Sequence, residues 1–176
     1  MGRGLRRSAV SWSVVGGVGF LLLPWYAAER DLAPAVFQVA SFGRPWLLLP
    51  GVLLLASLAT AVLTPVAVGR PLVILGAVGF LGTLAQGFAI GLSQPGMGVG
   101  ALVVLAAFLL LCSTGLAARG FFRGDAFVAG AVVATAVLVG LFTFFPVARI
   151  LMSAAQADSG AFSVQAVLER LATAKI

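Results

Sequence analysis

The chain has 176 residues, of which 61% are hydrophobic and only 9% are charged, and its mean hydropathy is +1.15. A soluble domain needs a charged exterior, so this composition excludes one and predicts that lipid surrounds most of the chain. The net charge of +6 does not indicate nucleic-acid binding, because the basic residues lie in short gaps between apolar runs, as membrane-topology signals do.

Five apolar runs predict an all-α, polytopic membrane protein with about five transmembrane helices. Each run is close to the ~20 residues that cross a hydrocarbon core of ~30 Å, and none contains an ionisable side chain. The runs are approximately Val10–Ala28, Trp46–Val68, Leu72–Leu92, Val99–Ala118 and Ala126–Val147.

The first run also resembles a secretory signal peptide, because a basic start, MGRGLRRSAV, leads into an apolar stretch. Cleavage after Ala28 would place Tyr26 where a small residue is required, so a retained membrane anchor is favoured. Trp25 and Tyr26 are then expected at the boundary between water and lipid, where amphipathic rings prefer to lie.

The connections between the runs predict the organisation of the chain. The sequence GRP at Gly69–Pro71 predicts a tight turn, which would make the second and third helices an antiparallel hairpin. The sequence RGFFRGD at Arg119–Asp125 is longer and basic, and we place the domain boundary there. Residues 1–118 would form a four-helix N-terminal membrane extension. Residues 119–176 would contain the basic loop, the fifth helix and an external tail.

The charge distribution predicts a cytoplasmic N-terminus and an external C-terminus. One set of connections is almost purely basic, and the opposite segments mix acids and bases, which agrees with the positive-inside rule. A phospholipid-headgroup site in the Arg119–Asp125 loop is the less favoured interpretation of the charges there. The topology-determining residues are Arg3, Arg6, Arg7, Arg70, Arg119 and Arg123.

Glycines in the third run indicate close helix packing, because small residues at this spacing let helix backbones approach each other in lipid. We favour packing within the hairpin over packing with a separate partner helix. The candidate helix-packing residues are Gly76, Gly79, Gly82, Gly87 and Gly91. Gln86 is the candidate for a buried polar contact, with a threonine or a backbone carbonyl on a neighbouring helix as the expected partner. A place for Gln86 on a substrate path is the alternative.

The sequence contains no catalytic, cofactor-binding or metal-ligating constellation. Histidine is absent and Cys112 is the sole cysteine, which excludes His-ligated metal sites and an intrachain disulfide. Ion-coupled carriers and proton relays generally place an ionisable group inside the membrane, and the five runs have none. We therefore expect neither an enzyme nor a self-contained ion-coupled transporter, and no cofactor.

The tail after the fifth run predicts a short amphipathic helix on the external surface. The fifth helix is expected to continue through Pro146, which would lie near its external end. Ser163 is a good N-cap, and Phe162 and Val167 are spaced as a hydrophobic staple. The apolar stripe at helical spacing consists of Val164, Val167, Leu168 and Leu171.

This tail resembles the start of the permease core in bacterial binding-protein-dependent ABC importers, particularly those of the ferric-iron type. The matching residues are Pro146, Ile150, Ser153, Asp158, Gly160, Phe162, Ser163, Val167 and Leu171. The front half, LPWYAAERDLAPAVFQVASFGRPWLLLP, is similar to the N-terminal extension of one group of these permeases.

The resemblance implies an importer permease component, present here as its N-terminal part, in the bacterial inner membrane. Its partners would be the lipid bilayer, the remaining permease helices, ATPase subunits and a periplasmic binding protein. The sequence has no counterpart of the Glu-Ala-Ala loop that docks the ATPase in this family. The alternative is a small structural membrane protein that packs with partner helices through its third span and transports nothing itself.

Overall fold

The computed structural model describes residues 2–26, 33–42, 44–63, 68–91 and 96–155, and the regular structure of these residues is helical throughout. Short 3₁₀ turns at Pro45–Leu47 and Phe121–Gly124 precede the third and sixth helices. The helices are α1 (Arg3–Leu22), α2 (Ala35–Phe42), α3 (Leu48–Leu63), α4 (Gly69–Gly91), α5 (Val99–Ala118) and α6 (Ala126–Ala155).

Within the described ranges, four helical segments are long and apolar enough to cross a membrane, which fits a multi-pass membrane protein. These segments are Pro45–Leu63, Gly69–Gly87, Val99–Ala118 and Ala126–Phe144. They correspond to the second to fifth predicted runs. The first predicted run corresponds to α1, which is not among the four.

Two local expectations differ from the structure. The sequence GRP does not form a turn, because Gly69, Arg70 and Pro71 lie in the first turn of α4. Proline is tolerated there because the first amides of a helix have no intrahelical acceptor. Helix α1 begins at Arg3, so the basic residues expected to precede the helix belong to its first turns. The same helix ends at Leu22, shortly before Pro24.

The chain divides into two compact units, Met1–Val133 and Ala134–Ile176, and the division falls within α6. The basic loop at Arg119–Asp125, where the sequence analysis places its boundary, lies inside the first unit. In the second unit, α6 continues without interruption through Pro146 to Ala155. The predicted amphipathic helix around Ser163 lies outside the described residues.

The first unit is an antiparallel four-helix bundle. Helices α1, α3, α4 and α5 follow one another around the bundle, and each packs against its two neighbours. Helix α5 is the most enclosed of the candidate spans: 56% of its residues are buried, against 28% for the segment in α3 and 28% for the segment in α4. Phe108 and Leu111 of α5 are fully buried and lie in the hydrophobic core.

Three buried hydroxyl groups of this core, those of Ser57, Ser113 and Thr114, bond within their own helices. Ser57 donates to the carbonyl of Leu53 at 2.8 Å, and Thr114 donates to the carbonyl of Leu110 at 2.7 Å. Such bonds to the preceding turn satisfy a hydroxyl without a partner on another helix. These hydroxyls therefore require no functional explanation.

The bundle has two chemically different ends. The first end combines the starts of α1 and α4 with the ends of α3 and α5, and we call it the basic end. Its charged residues are Arg3, Arg6, Arg7, Arg70, Arg119, Arg123 and Asp125. The opposite end carries α2 and the chain around Trp25, and Arg44 is its one charged residue within the described ranges.

Candidate functional site

The closest helix contact in the bundle is the antiparallel crossing of α4 and α5. A Cβ atom added at Gly76 would lie 2.5 Å from the backbone nitrogen of Cys112 and 2.7 Å from the carbonyl oxygen of Phe108. One added at Gly115 would lie 2.7 Å from the backbone nitrogen of Val73. Since all these neighbours are backbone atoms, no side chain can rotate away, and both positions require glycine for this approach.

The other candidate glycines of α4 have different surroundings. Gly79 faces the ring of Phe108 on α5, whereas the nearest atom to a Cβ at Gly82 belongs to Leu49 of α3, at 3.8 Å. Gly87 faces the side chain of Met97, which precedes α5. Gly91 is the last residue of α4, and its packing lies outside what the structure describes. The glycines of this helix thus contact α5 and the chain before it more than the expected hairpin partner, α3.

Helix α1 approaches α5 through a second set of small residues. A Cβ atom at Gly16 would lie 2.8 Å from the Cβ of Ala107, and one at Gly19 would lie 2.7 Å from the side chain of Val103. Nearer the basic end, the hydroxyl groups of Ser8 and Thr114 lie 3.5 Å apart across the same contact. Helix α5 is therefore held closely on two sides.

At the opposite end, backbone groups cap the start of α5. Gly98 donates its N–H to the carbonyl of Trp25 at 2.8 Å, and Gly100 donates to the carbonyl of Pro24 at 2.9 Å. These bonds satisfy helix-terminal amides that no side chain caps. Trp25 and Tyr26 are only 2% and 4% exposed, so their rings pack against protein at this end of the bundle. Their predicted place at the boundary between water and lipid stays a prediction.

Gln86 forms a hydrogen bond with a backbone carbonyl near a neighbouring helix, which is one of the two kinds of partner expected for it. Its Nε2 atom donates to the backbone carbonyl of Trp46 at 3.0 Å, which joins α4 to the 3₁₀ turn before α3. Its Oε1 atom is buried and accepts no hydrogen bond from the described residues. Thr83, one turn earlier, is also buried with an unbonded hydroxyl. The amide of Gln86 thus lies at a helix contact near one end of the bundle.

At the basic end, Arg6 connects α1 to α3. Its Nε atom donates to the carbonyl of Ala61 at 2.9 Å, and its Nη2 atom donates to the carbonyl of Val62. These carbonyls belong to the last turn of α3, where backbone acceptors have no intrahelical partner. Arg6 therefore acts as a C-terminal cap supplied by a different helix.

The remaining arginines of the basic end have looser surroundings. Arg3, Arg7, Arg70 and Arg123 are exposed. The guanidinium carbon of Arg119 lies 5.5 Å from the ring centre of Phe121, within the range of a cation–π contact. An open groove of about 470 Å³ between α1 and α3 is lined by Arg3, Arg6, Arg7, Val10, Ser11 and Val62.

The described part of the chain contains no group of three or more His, Cys, Asp or Glu side chains that could hold a metal ion. Cys112 is a free thiol, half-buried on α5 beside Gly76. The arrangement can hold helices together and present positive charge at one end of the bundle.

Sequence reasoning missed the two most informative contacts at the basic end. Gly115 of α5 is not among the predicted packing residues, and the spacing of Gly69 and Gly76 marks only the face of α4 that it meets. The sequence predicts Arg6 only as a topology-determining residue. Its spacing from Arg3, Val10 and Ser11 along one face of α1 is the signal that could have identified the groove.

Comparisons with protein-family models, with curated proteins and with solved structures find no match for this chain.

Proposed function

We propose that this chain is a membrane component of an ABC-type importer, in which α1 to α5 form a supporting extension and α6 begins the permease core. Ferric iron is the substrate that the resemblance of the tail indicates. In this proposal the chain lies in the bacterial inner membrane with its N-terminus in the cytoplasm and its C-terminus in the periplasm.

The observation that carries the proposal is the contrast between α5 and α6. In the candidate span Ala126–Phe144 only 11% of the residues are buried, against 56% in Val99–Ala118. Phe127, Phe142 and Phe144 are 83%, 79% and 73% exposed. A helix this apolar requires lipid or further helices around it. The first helix of a larger permease core would have such surroundings.

The same proposal assigns α1 as a fifth span. Its 20 residues correspond to about 30 Å of helix, which matches the thickness of a hydrocarbon core. It also runs antiparallel to α5 over its length: Ser8 faces Thr114 near the basic end, and Gly19 faces Val103 towards the other end. A helix that packs along the full length of a membrane span is expected to cross the membrane with that span.

Helices α1 to α5 would support transport without carrying it out. A periplasmic binding protein would deliver the substrate from outside, and ATPase subunits would drive alternating access from inside. Helices α3 and α5 contain no charged side chain, and the charged side chains of α1 and α4 lie in the first two turns of these helices. These four helices therefore place no charged group at mid-membrane for a coupled ion. We assign no residue of this chain to substrate contact.

The alternative function is that of a structural protein that joins partner helices through its glycine-rich third span. Gly76 and Gly79 are already covered by α5 within the same chain, which leaves them unavailable for a partner. This occupancy favours the permease proposal over the structural one.

The test is to isolate the native gene product through an affinity tag placed before Gly2. The proposal predicts a membrane species heavier than 17.9 kDa beyond the mass of the tag, and an ATP-hydrolysing subunit that co-purifies with it. The same tag on an unrelated multi-pass protein controls for nonspecific recovery. A species of 17.9 kDa that brings no ATPase would contradict the proposal and support the structural alternative.

A further inference from the structure

We propose that the groove between α1 and α3 at the basic end binds one anionic phospholipid. This inference goes beyond the importer proposal and depends only on the bundle lying in a membrane. The groove has a volume of about 470 Å³ and is shallow and widely open. Helix α1 supplies one wall, and Val62 of α3 supplies the other.

The wall formed by α1 is a single stripe of side chains, with arginines near the helix start and uncharged residues in the following turn. Its residues are Arg3, Arg6, Arg7, Val10 and Ser11. Their spacing of three, four, seven and eight residues from Arg3 places them on the same face of a helix. Three guanidinium groups therefore lie over the first two turns, and the next turn carries Val10 and the Ser11 hydroxyl. A topology signal requires only that positive residues lie at this end, not that they share one face with a groove.

Arg6 is fixed in place, whereas Arg3 and Arg7 have donors available. The bonds from Arg6 to the carbonyls of Ala61 and Val62 hold its guanidinium against the last turn of α3, where it lines the groove. Arg3 and Arg7 are exposed and form no hydrogen bond or ion pair with the other described residues. A phosphate group accepts charge-assisted bonds from guanidinium donors in this arrangement, often two from one arginine.

The apolar part of the groove selects a lipid over a soluble anion. Val62 is 46% exposed although it lies beside the arginines, and Val10 is only partly buried. A free phosphate would neutralise the charge and leave these side chains in contact with water. The glycerol backbone and upper acyl chain of a phospholipid would cover them, because the groove passes from charged to apolar along α1.

The electrostatic contribution sets the size of the expected effect. A basic residue near an anionic lipid surface contributes on the order of a tenfold affinity gain or somewhat less. Removing the charges of Arg3 and Arg7 together should therefore weaken binding of an anionic lipid by about 30-fold at low salt. A zwitterionic lipid should respond much less.

The experiment measures lipid binding to the purified full chain by native mass spectrometry. The probes are phosphatidylglycerol and phosphatidylcholine with identical acyl chains, titrated in mild detergent. The test variant is Arg3→Gln with Arg7→Gln. The matched control is Arg70→Gln with Arg123→Gln, which removes the same charge from exposed arginines at the same end. A second test variant, Val62→Ser, alters the apolar wall without changing charge.

The wild-type chain should retain one phosphatidylglycerol more tightly than phosphatidylcholine. The Arg3/Arg7 variant should lose this preference, the Arg70/Arg123 control should keep it, and Val62→Ser should weaken it by several-fold. Equal losses in the two double variants, or no loss in the Arg3/Arg7 variant, would overturn the proposal. Equally tight binding of soluble glycerol 3-phosphate would show a free-anion site and would overturn the choice of a lipid.

Discussion

Replacing Gly76 with alanine should push α4 and α5 apart. The added Cβ would lie 2.5 Å from the nitrogen of Cys112, 2.7 Å from the carbonyl oxygen of Phe108 and 2.9 Å from the Cα of Cys112. Ordinary van der Waals contact begins at 3.4 Å, so the helices must separate locally by about 1 Å. Overpacking of this kind typically costs about 1–3 kcal/mol of unfolding free energy.

Gly82→Ala on the same helix is the matched control. Its new methyl group would lie 3.8 Å from Leu49, which is ordinary contact. Alanine favours a helix over glycine by up to about 1 kcal/mol, and both variants receive this gain. The difference between their unfolding free energies therefore isolates the steric cost at Gly76.

The assay is equilibrium unfolding in mixed micelles, with the mole fraction of a denaturing detergent as the variable and far-ultraviolet circular dichroism as the signal. Gly76→Ala should be less stable than Gly82→Ala by about 1–3 kcal/mol. If the two variants unfold within about 0.5 kcal/mol of each other, α4 and α5 do not approach as closely as described.

Two further substitutions test contacts that join or begin helices. Arg6→Ala should lower the unfolding free energy by about 1–3 kcal/mol, because the carbonyls of the last α3 turn lose their donors. In the same detergent micelles, prepared without lipid, Arg7→Ala should change the unfolding free energy by less than about 0.5 kcal/mol, and equal effects would argue against the Arg6 cap. Asp125→Ala should cost about 1 kcal/mol, because the Oδ1 atom of Asp125 accepts the N–H groups of Phe127 at 2.8 Å and Val128 at 3.2 Å. Amide hydrogen exchange in the first turn of α6 should then be about fivefold faster, whereas unchanged exchange would exclude a capping role.

Hydrophobic run length was sufficient to find the four candidate spans, because a membrane helix needs a nearly continuous apolar stretch and little else. Hydrophobic run length could not assign the ends of α1. Arginines are good helix formers, so Arg3, Arg6 and Arg7 extend the helix, and Pro24 limits it at the other end. Helix α2, which lies outside the spans, was not predicted because eight residues carry too little periodic signal.

Which glycines meet which helix could not be read from the sequence. Spacing places Gly76 and Gly79 on a helix face, but it does not say whether α3 or α5 covers that face. Helix α5 covers it because Gly115 presents no side chain opposite Val73, so the two backbones can come close. The burial of Trp25 was missed for a similar reason. Its environment depends on contacts with Gly98, far along the chain.

The measurement that tests the account most directly is the accessibility of the two ends of the bundle in whole cells. In a Cys112→Ala background, Gly2→Cys and Gly96→Cys place one thiol near each end, and an added Cβ at either position meets nothing within 4 Å. An impermeant thiol reagent should label the Gly96→Cys variant in intact cells and the Gly2→Cys variant only after the membrane is permeabilised. Labelling of both variants from the same side, or in the reverse order, would contradict a membrane-spanning bundle with its basic end in the cytoplasm.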